Sequence, residues 1–537
     1  MTRDWRLPGR RAMGNDRLMR FGSAAAAGLL AGAALPPLGL PPLLWAALAL
    51  LWSLASAPES RSPAPASPHR IFAATAGLVA PEGVLWGLTA VLLSHRWLLW
   101  LHPLDWIGVP APLSLPVCLA LWGAIGLAGG WLVGLWLALM RRLDPTRFPN
   151  ALIGASLWGL AEVVLARGPL FWIGLGAASL PGDPALAGLA ALGGAGCLAA
   201  VQLLIGWGVW RLLASATGRP VRLGLLLTLV LAAHLAGLAA LAAVAPGSGP
   251  PERVLLLQPA IPTRHKFEAG QQLRLLRQLA LAQRAAAGVA HTVVLPEGSL
   301  ALGQPLPEPP PVEVLSGGFR QAGEEHRSSL LRFAPGSLLP GQWLDKHRLV
   351  PLGEWVPGAS LLRCSGLSAV GGLESGPPSR LLRRPDGAVA VAICYELSDG
   401  RSLAGATREG ALWLLASANL DPYPALLQEQ FTALARLRAI ESGRWLVSAA
   451  NTGPSLAVDP RGEVRARLPS GRSGRSVVEI HQLQHRTIYV RWGEMPLVLL
   501  LLFALILRLG GAAGIPFILL EARAREEKQP RPDDAIR

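Results

Sequence analysis

Lysine is nearly absent from this 537-residue chain. Of 49 basic residues only Lys266, Lys346 and Lys528 are lysines. Cysteine is scarce, at four (Cys118, Cys197, Cys364 and Cys394), and charged residues make up only 15% of the chain, against about a quarter in soluble domains. So few cysteines exclude a disulfide scaffold, and no pair has the spacing of metal ligands, so neither a metal nor another cofactor is expected. The low charge content excludes an ordinary soluble enzyme. A formal charge of +15 invites a nucleic-acid partner. Yet there is no zinc-finger spacing and no basic helix with interleaved aromatics, so none is expected.

What the chain has instead is long apolar runs. Most reach the roughly 20 residues that cross a hydrocarbon core. Seven precede residue 250: Phe21–Leu35, Leu38–Ala55, Ile71–Leu93, Leu115–Met140, Ala151–Ile173, Leu186–Leu213 and Leu223–Val244. An eighth begins near Met495. The first two are short and joined by Pro36, Pro37, Pro41 and Pro42, which suggests a tight helical hairpin. The basic N-terminus and first run resemble a signal peptide, but further spans follow, so a retained first helix is expected. Cys118 and Cys197 fall in these runs as small hydrophobes. Glu162 is the clearest embedded acid, with no obvious partner, and Arg508 falls at the end of the last run, where it could snorkel if the span stops near Leu507.

Arginine sets the expected orientation. One set of loops carries Arg61, Arg70, Arg141, Arg142, Arg147, Arg211, Arg219 and Arg222, and the other only Arg96 and Arg167. By the positive-inside rule the N-terminus is cytoplasmic, and seven crossings place residues 250–493 outside. The expected organisation is a basic cytoplasmic segment at 1–20, a transmembrane domain at 21–245, an extracytoplasmic catalytic domain at 250–493, a last span at 494–520 and a cytoplasmic tail at 521–537. Tryptophans near span ends, Trp97, Trp100, Trp106 and Trp492, suit an interface belt.

Residues 250–493 alternate short apolar runs with amphipathic stretches. Strands are expected at Arg253–Gln258, His291–Leu295, Ala388–Ile393 and Ala411–Ala416, and helices at Gln271–Ala287 and Leu426–Gly443, which is an α/β pattern. Three reactive side chains follow β-like runs: Glu297, Lys346 and Cys394. Ligands bind at the carboxyl ends of strands in open α/β sheets, so the three together would suit acyl transfer. A carboxylate can take the thiol proton, an ammonium can stabilise thiolate and oxyanion, and a thiolate can attack an ester or amide carbonyl. A lone cysteine after a strand is more often packing, and a lone glutamate more often a surface charge. Lys346 says more, since arginine serves almost everywhere else; Lys266 and Lys528 are expected to tolerate arginine. A Cys364–Cys394 disulfide is conceivable outside the cytoplasm.

The contexts of Glu297, Lys346 and Cys394 resemble the nitrilase, or carbon–nitrogen hydrolase, superfamily. The runs Asp345–Pro357 and Ile393–Glu396 are more similar still to the apolipoprotein N-acyltransferase family, and with the span pattern the resemblance covers nearly the whole chain. It implies a polytopic α-helical domain of about eight spans plus a nitrilase-like αββα sandwich. It also implies transfer of an acyl chain from a phospholipid, through a thioester on Cys394, to the N-terminal amine of a diacylglyceryl-modified apolipoprotein, by a monomeric enzyme of the bacterial inner membrane with its catalytic domain on the periplasmic side. By that resemblance Glu297 is the base, Lys346 the charge stabiliser, Cys394 the nucleophile, and Glu354, Tyr395 and Glu396 support them. Departures fall on substrate loops: Phe267 stands where tryptophan is common, and Ser417–Tyr423 replaces an Asn-Asp-aromatic run, leaving Phe267 and Tyr423 as candidate substrate contacts. Ala435–Glu441 and Asn451–Gly453 are expected to be scaffold. A membrane-tethered amidase and a transporter with an outer binding domain are the alternatives.

Overall fold

The computed structural model describes residues 10–56, 78–105, 109–351, 353–355 and 372–512. Arg61, Arg70, Trp106, Cys364, Lys528, the 521–537 tail and the first nine residues lie outside them.

Each apolar run contains a helix. These are α1 (Arg10–Ala34), α2 (Pro41–Ala55), α3 (Pro81–Ser94), α4 (Ala111–Leu143), α5 (Phe148–Ala166), α6 (Ala190–Ala214), α7 (Arg219–Ala242) and, at the far end, α11 (Met495–Ala512). Four among the described residues, α4 to α7, are long and apolar enough to cross a membrane by length and composition, while α2, α3 and residues 495–510 are shorter apolar helices. The protein is a membrane protein. The prolines between α1 and α2 do make a tight hairpin, because Pro41 can open a helix but cannot continue one.

Several ends differ from expectation. α5 stops at Ala166, where Gly168 and Pro169 follow, rather than at Ile173. The Leu186–Leu213 run is broken by a single turn at Pro184–Ala187 and by a kink at Gly193 and Gly194. Gly194 has φ 75° and faces the Tyr489 ring, where a Cβ would stand 2.5 Å from ring carbon. α11 continues past Arg508. Glu162 has partners after all: Trp158 Nε1 donates to its Oε1 at 2.8 Å and the Leu175 N–H at 2.9 Å. Trp97 turns inward onto Phe171 and Tyr423, whereas Trp100 and Trp492 are exposed.

All twelve described strands fall between Pro251 and His481 and form two six-stranded sheets, ordered β12-β1-β2-β3-β4-β5 and β11-β10-β9-β8-β7-β6. The central ones are β1 (Pro251–Gln258), β2 (Thr292–Leu300), β3 (Glu313–Ala322), β7 (Val389–Ile393), β8 (Trp413–Ala418) and β9 (Leu446–Ala450); the outer ones are β4 (Glu325–Phe333), β5 (Gln342–Asp345), β6 (Leu381–Leu382), β10 (Leu456–Val458), β11 (Val464–Arg467) and β12 (Gly474–His481). Successive strand residues face opposite ways, and the core follows that alternation. Val254, Leu256 and Val294 meet Val391, Ile393 and Leu415 between the sheets. Leu255, Leu257 and Val293 face the other way, onto Leu275 and Leu279 of α8 (Ala269–Ala286). Against the second sheet lie α9 (Gly400–Arg408) and α10 (Ala425–Ser442), whose apolar side chains share one core with the membrane helices. The layers are α, β, β, α. Where the domains meet, Glu441 of α10 accepts a hydrogen bond from the Ala195 N–H just after the α6 kink, at 2.8 Å, and another from Arg438 at 2.8 Å.

Candidate active site

β1, β2 and β3 run parallel, as do β7, β8 and β9. Parallel strands place their carboxyl ends together, and both sheets deliver theirs to one place. Glu297 lies near the end of β2, beside a register shift between Leu295 and Leu300. Gly317 on β3 lets that backbone close in, since a Cβ there would stand 2.4 Å from the Glu297 Cα. Lys346 follows β5 (Gln342–Asp345), and Cys394 follows β7.

The structure brings these three side chains together. Lys346 is 1% exposed, and its Nζ donates to Glu297 Oε1 and Glu354 Oε1, both at 2.7 Å. Glu354 is fixed in turn by the Val350 N–H at 2.9 Å. Cys394 is a free thiol facing Glu297, and burial first, then the Glu297 carboxylate, push it well above its ordinary value. Burial would lower Lys346, but Glu297 and Glu354 overcome it and hold the ammonium well above its ordinary range. Burial raises Glu354 despite Lys346. The resting site is therefore a neutral thiol beside a carboxylate that accepts from the lysine ammonium.

Cys394 has φ 56°, a left-handed backbone that costs a non-glycine residue about 1–3 kcal/mol. Glu396 maintains the turn. Its carboxylate accepts from the N–H groups of Ile393 (2.9 Å), His347 (2.8 Å) and Arg348 (3.0 Å), and pairs with buried Arg380 at 3.0 Å. One side chain thus ties the strand before the thiol to the loop after the lysine. The Tyr395 hydroxyl donates to Leu349 O at 2.9 Å, and the ring carries Arg348 on its face, 4.6 Å from the centroid. Burial pushes Tyr395 up to about 12.

Of the two candidate substrate contacts, Tyr423 is at the site: burial and then the Cys394 and Glu297 charges raise its hydroxyl. Phe267 is 54% exposed and packs edge-on against Phe319. Two participants escaped sequence reading. The Asn419 N–H donates to Glu297 Oε2 at 3.2 Å, and Asn451 holds the Asn419 side chain at 2.8 Å. Lys266 is buried, not a spare surface lysine. Its Nζ donates to the Glu297 carbonyl at 2.7 Å, and burial lowers it to about 8 against the pull of Glu297, Asp421 and Cys394. Its adjacency to Phe267 and the rarity of lysine were the available signals. Cys364 lies outside the described residues.

The fold is a helix-flanked pair of sheets that gathers a thiol, an ammonium and two carboxylates, and residues 318–488 match the carbon-nitrogen hydrolase family. The chain is 48% identical over 511 residues to an apolipoprotein N-acyltransferase of Prochlorococcus marinus (strain MIT 9313), covering 92% of this chain and 97% of that one. Identity is 45% over 485 residues to one of Parasynechococcus marenigrum (strain WH8102), covering 89% and 98%. The chain belongs to the apolipoprotein N-acyltransferase family.

Proposed function

We propose that this enzyme acylates the N-terminal amine of diacylglyceryl-modified apolipoproteins, using a membrane phospholipid as donor and Cys394 as nucleophile. The carrying observation is the free, half-buried thiol beside a glutamate whose two oxygens are held by Lys346 and the Asn419 N–H. Glu297 takes the thiol proton as sulfur bonds to the ester carbonyl carbon. The Lys346 ammonium stabilises the oxyanion, being a compact donor already oriented. Collapse breaks the acyl C–O bond, the lysophospholipid oxygen takes the proton from Glu297, and a thioester remains. In the second half the lipoprotein amine attacks that carbonyl, Glu297 removes its proton, the C–S bond breaks, and the thiolate takes the proton back. Two half-reactions through one acyl-enzyme give ping-pong kinetics.

The membrane helices suit substrates whose chains lie in the bilayer, and the loop arginines favour a catalytic domain on the periplasmic side of the bacterial inner membrane. Glu354 steadies Lys346, and Glu396 with Tyr395 holds the nucleophile turn. The test is intact-protein mass spectrometry of the full chain after exposure to phospholipid alone. One acyl mass should appear, mapping to Cys394 and discharged by a diacylated peptide amine. An unmodified Cys394 under turnover conditions would rule the reading out.

A further inference from the structure

On the flank of the domain junction, α9 passes over the ends of α5 and α11 nearest the catalytic domain, leaving a cavity of about 320 Å³. Arg167, Arg401 and Arg408 line it. These guanidiniums are sparsely used. Among the described residues Arg401 reaches only Glu494, at 3.6 Å, and Arg408 donates to the Val490 carbonyl at 3.3 Å. Arg167 makes no side-chain hydrogen bond or ion pair among the described residues. The one carboxylate present, Glu494, is already engaged by the Tyr489 hydroxyl at 3.0 Å. Three cations thus face a single, partly satisfied anion.

The remaining wall is apolar and belongs to the membrane helices. Val164 of α5 is 69% exposed, and Met495 and Val498 of α11 continue the same surface. Trp492, 59% exposed, stands at the rim, where an indole favours the boundary between headgroups and hydrocarbon. Unspent guanidiniums above lipid-facing aliphatic side chains match a phosphate above acyl chains, because arginine forks bind phosphate oxygens in pairs.

We propose that this cavity holds the phosphodiester of a lipid headgroup between Arg167, Arg401 and Arg408, with its chains along α5 and α11, as a bound lipid separate from the Cys394 site. Because α9 begins at Gly400, six residues after the nucleophile, that lipid would brace the helix directly behind the catalytic turn.

The test uses the full chain carrying Cys394→Ala, so that no donor is consumed. Native mass spectrometry from detergent counts lipids retained as dioleoyl phosphatidylglycerol is titrated in, with chain-matched diacylglycerol and inorganic phosphate as separate arms. One phosphatidylglycerol should be retained that an added Arg401→Gln/Arg408→Gln pair binds about tenfold more weakly, the equivalent of one lost charged contact. Diacylglycerol should not replace it, and millimolar phosphate should not displace it. Arg401→Gln alone breaks only the 3.6 Å contact and should give a partial loss with unchanged unfolding temperature. Equal retention by the double variant overturns the site. Equal binding of diacylglycerol shows chain contact alone, and displacement by phosphate shows a free-anion site; either also overturns it. No acyl transfer is measured, so failure here leaves the acyltransferase reading standing.

Discussion

The Asn419 N–H and the Lys346 ammonium engage different oxygens of the Glu297 carboxylate, at 3.2 and 2.7 Å. A neutral peptide donor thus fixes the plane of the carboxylate without adding charge, while the lysine supplies the ion pair. Glu297→Gln preserves the shape but cannot accept a proton. Both half-reactions should slow by about 10²–10⁴-fold. Single-turnover thioester formation, and separately transfer from a preformed acyl-enzyme, check this; an unaffected second half would remove Glu297 from amine deprotonation.

Lysine identity should matter at two positions. Lys346→Arg replaces a compact ammonium between two carboxylates with a planar fork, and acylation should fall by at least about tenfold. Lys266→Arg should also fail, for lack of room, whereas Lys528→Arg should behave as wild type.

The pH profile tests Lys266 separately. Its folded value of about 8 lies below the ordinary 10.5, so the cation beside Glu297, Asp421 and Cys394 is lost as pH rises through about 8. Activity should decline there, and Lys266→Met should have a lower rate without that alkaline limb. Between about 8 and 10.5 the unfolded chain binds the extra proton, so stability should rise over the same window. Opposite trends in activity and thermal stability are the expected result.

Backbone strain predicts an order among Cys394 variants. Cys394→Ala and Cys394→Ser should both abolish turnover. Cys394→Gly should too, yet unfold at higher denaturant than Cys394→Ala, because glycine accepts φ 56° at about 1 kcal/mol less cost. Equal stability of the two would mean the turn relaxes when the thiol is removed.

Glu396 and Arg380 are 3% and 4% exposed. Glu396→Gln removes the charge that Arg380 needs, and breaking a buried pair from one side costs about 3–5 kcal/mol. Chemical denaturation measures the loss, and acylation should suffer with it because the amide keeps only one acceptor oxygen, so either Ile393 or the His347 and Arg348 pair faces a donor instead.

How far the sequence could be read depended on what kind of pattern carried the information. β1, β2, β7 and β8 showed as short apolar runs, and α8 and α10 as helical spacing, each within a few residues. The β3 and β4 (Glu325–Phe333) hairpin did not show, because Gly317, Gly318 and a run of polar residues dilute its alternation. Glu297, Lys346 and Cys394 were legible as reactive types after apolar runs. Asn419 was not, because it acts through its backbone, which side-chain identity does not reveal. Glu162 looked unpaired for the same reason: the Leu175 N–H that holds it lies beyond a helix end placed seven residues too late.

Orientation is open to direct measurement. A reporter fused after Leu213 should be active in the cytoplasm, and one fused after Pro250 should behave as external. The reverse pattern would place the thiol on the wrong side for mature lipoproteins.

The Ala195 N–H restarts α6 after its kink, and the acceptor that satisfies it, Glu441, is 246 positions away in the chain. While the protein is being made, the restarted half of that span must wait with an orphan donor, a penalty of about 1–3 kcal/mol where it is shielded from water. Translation must pass the nucleophile and reach α10 before the sixth helix meets that acceptor. A chain cut short before α10 would therefore hold every residue of that span and still lack the acceptor for its restart.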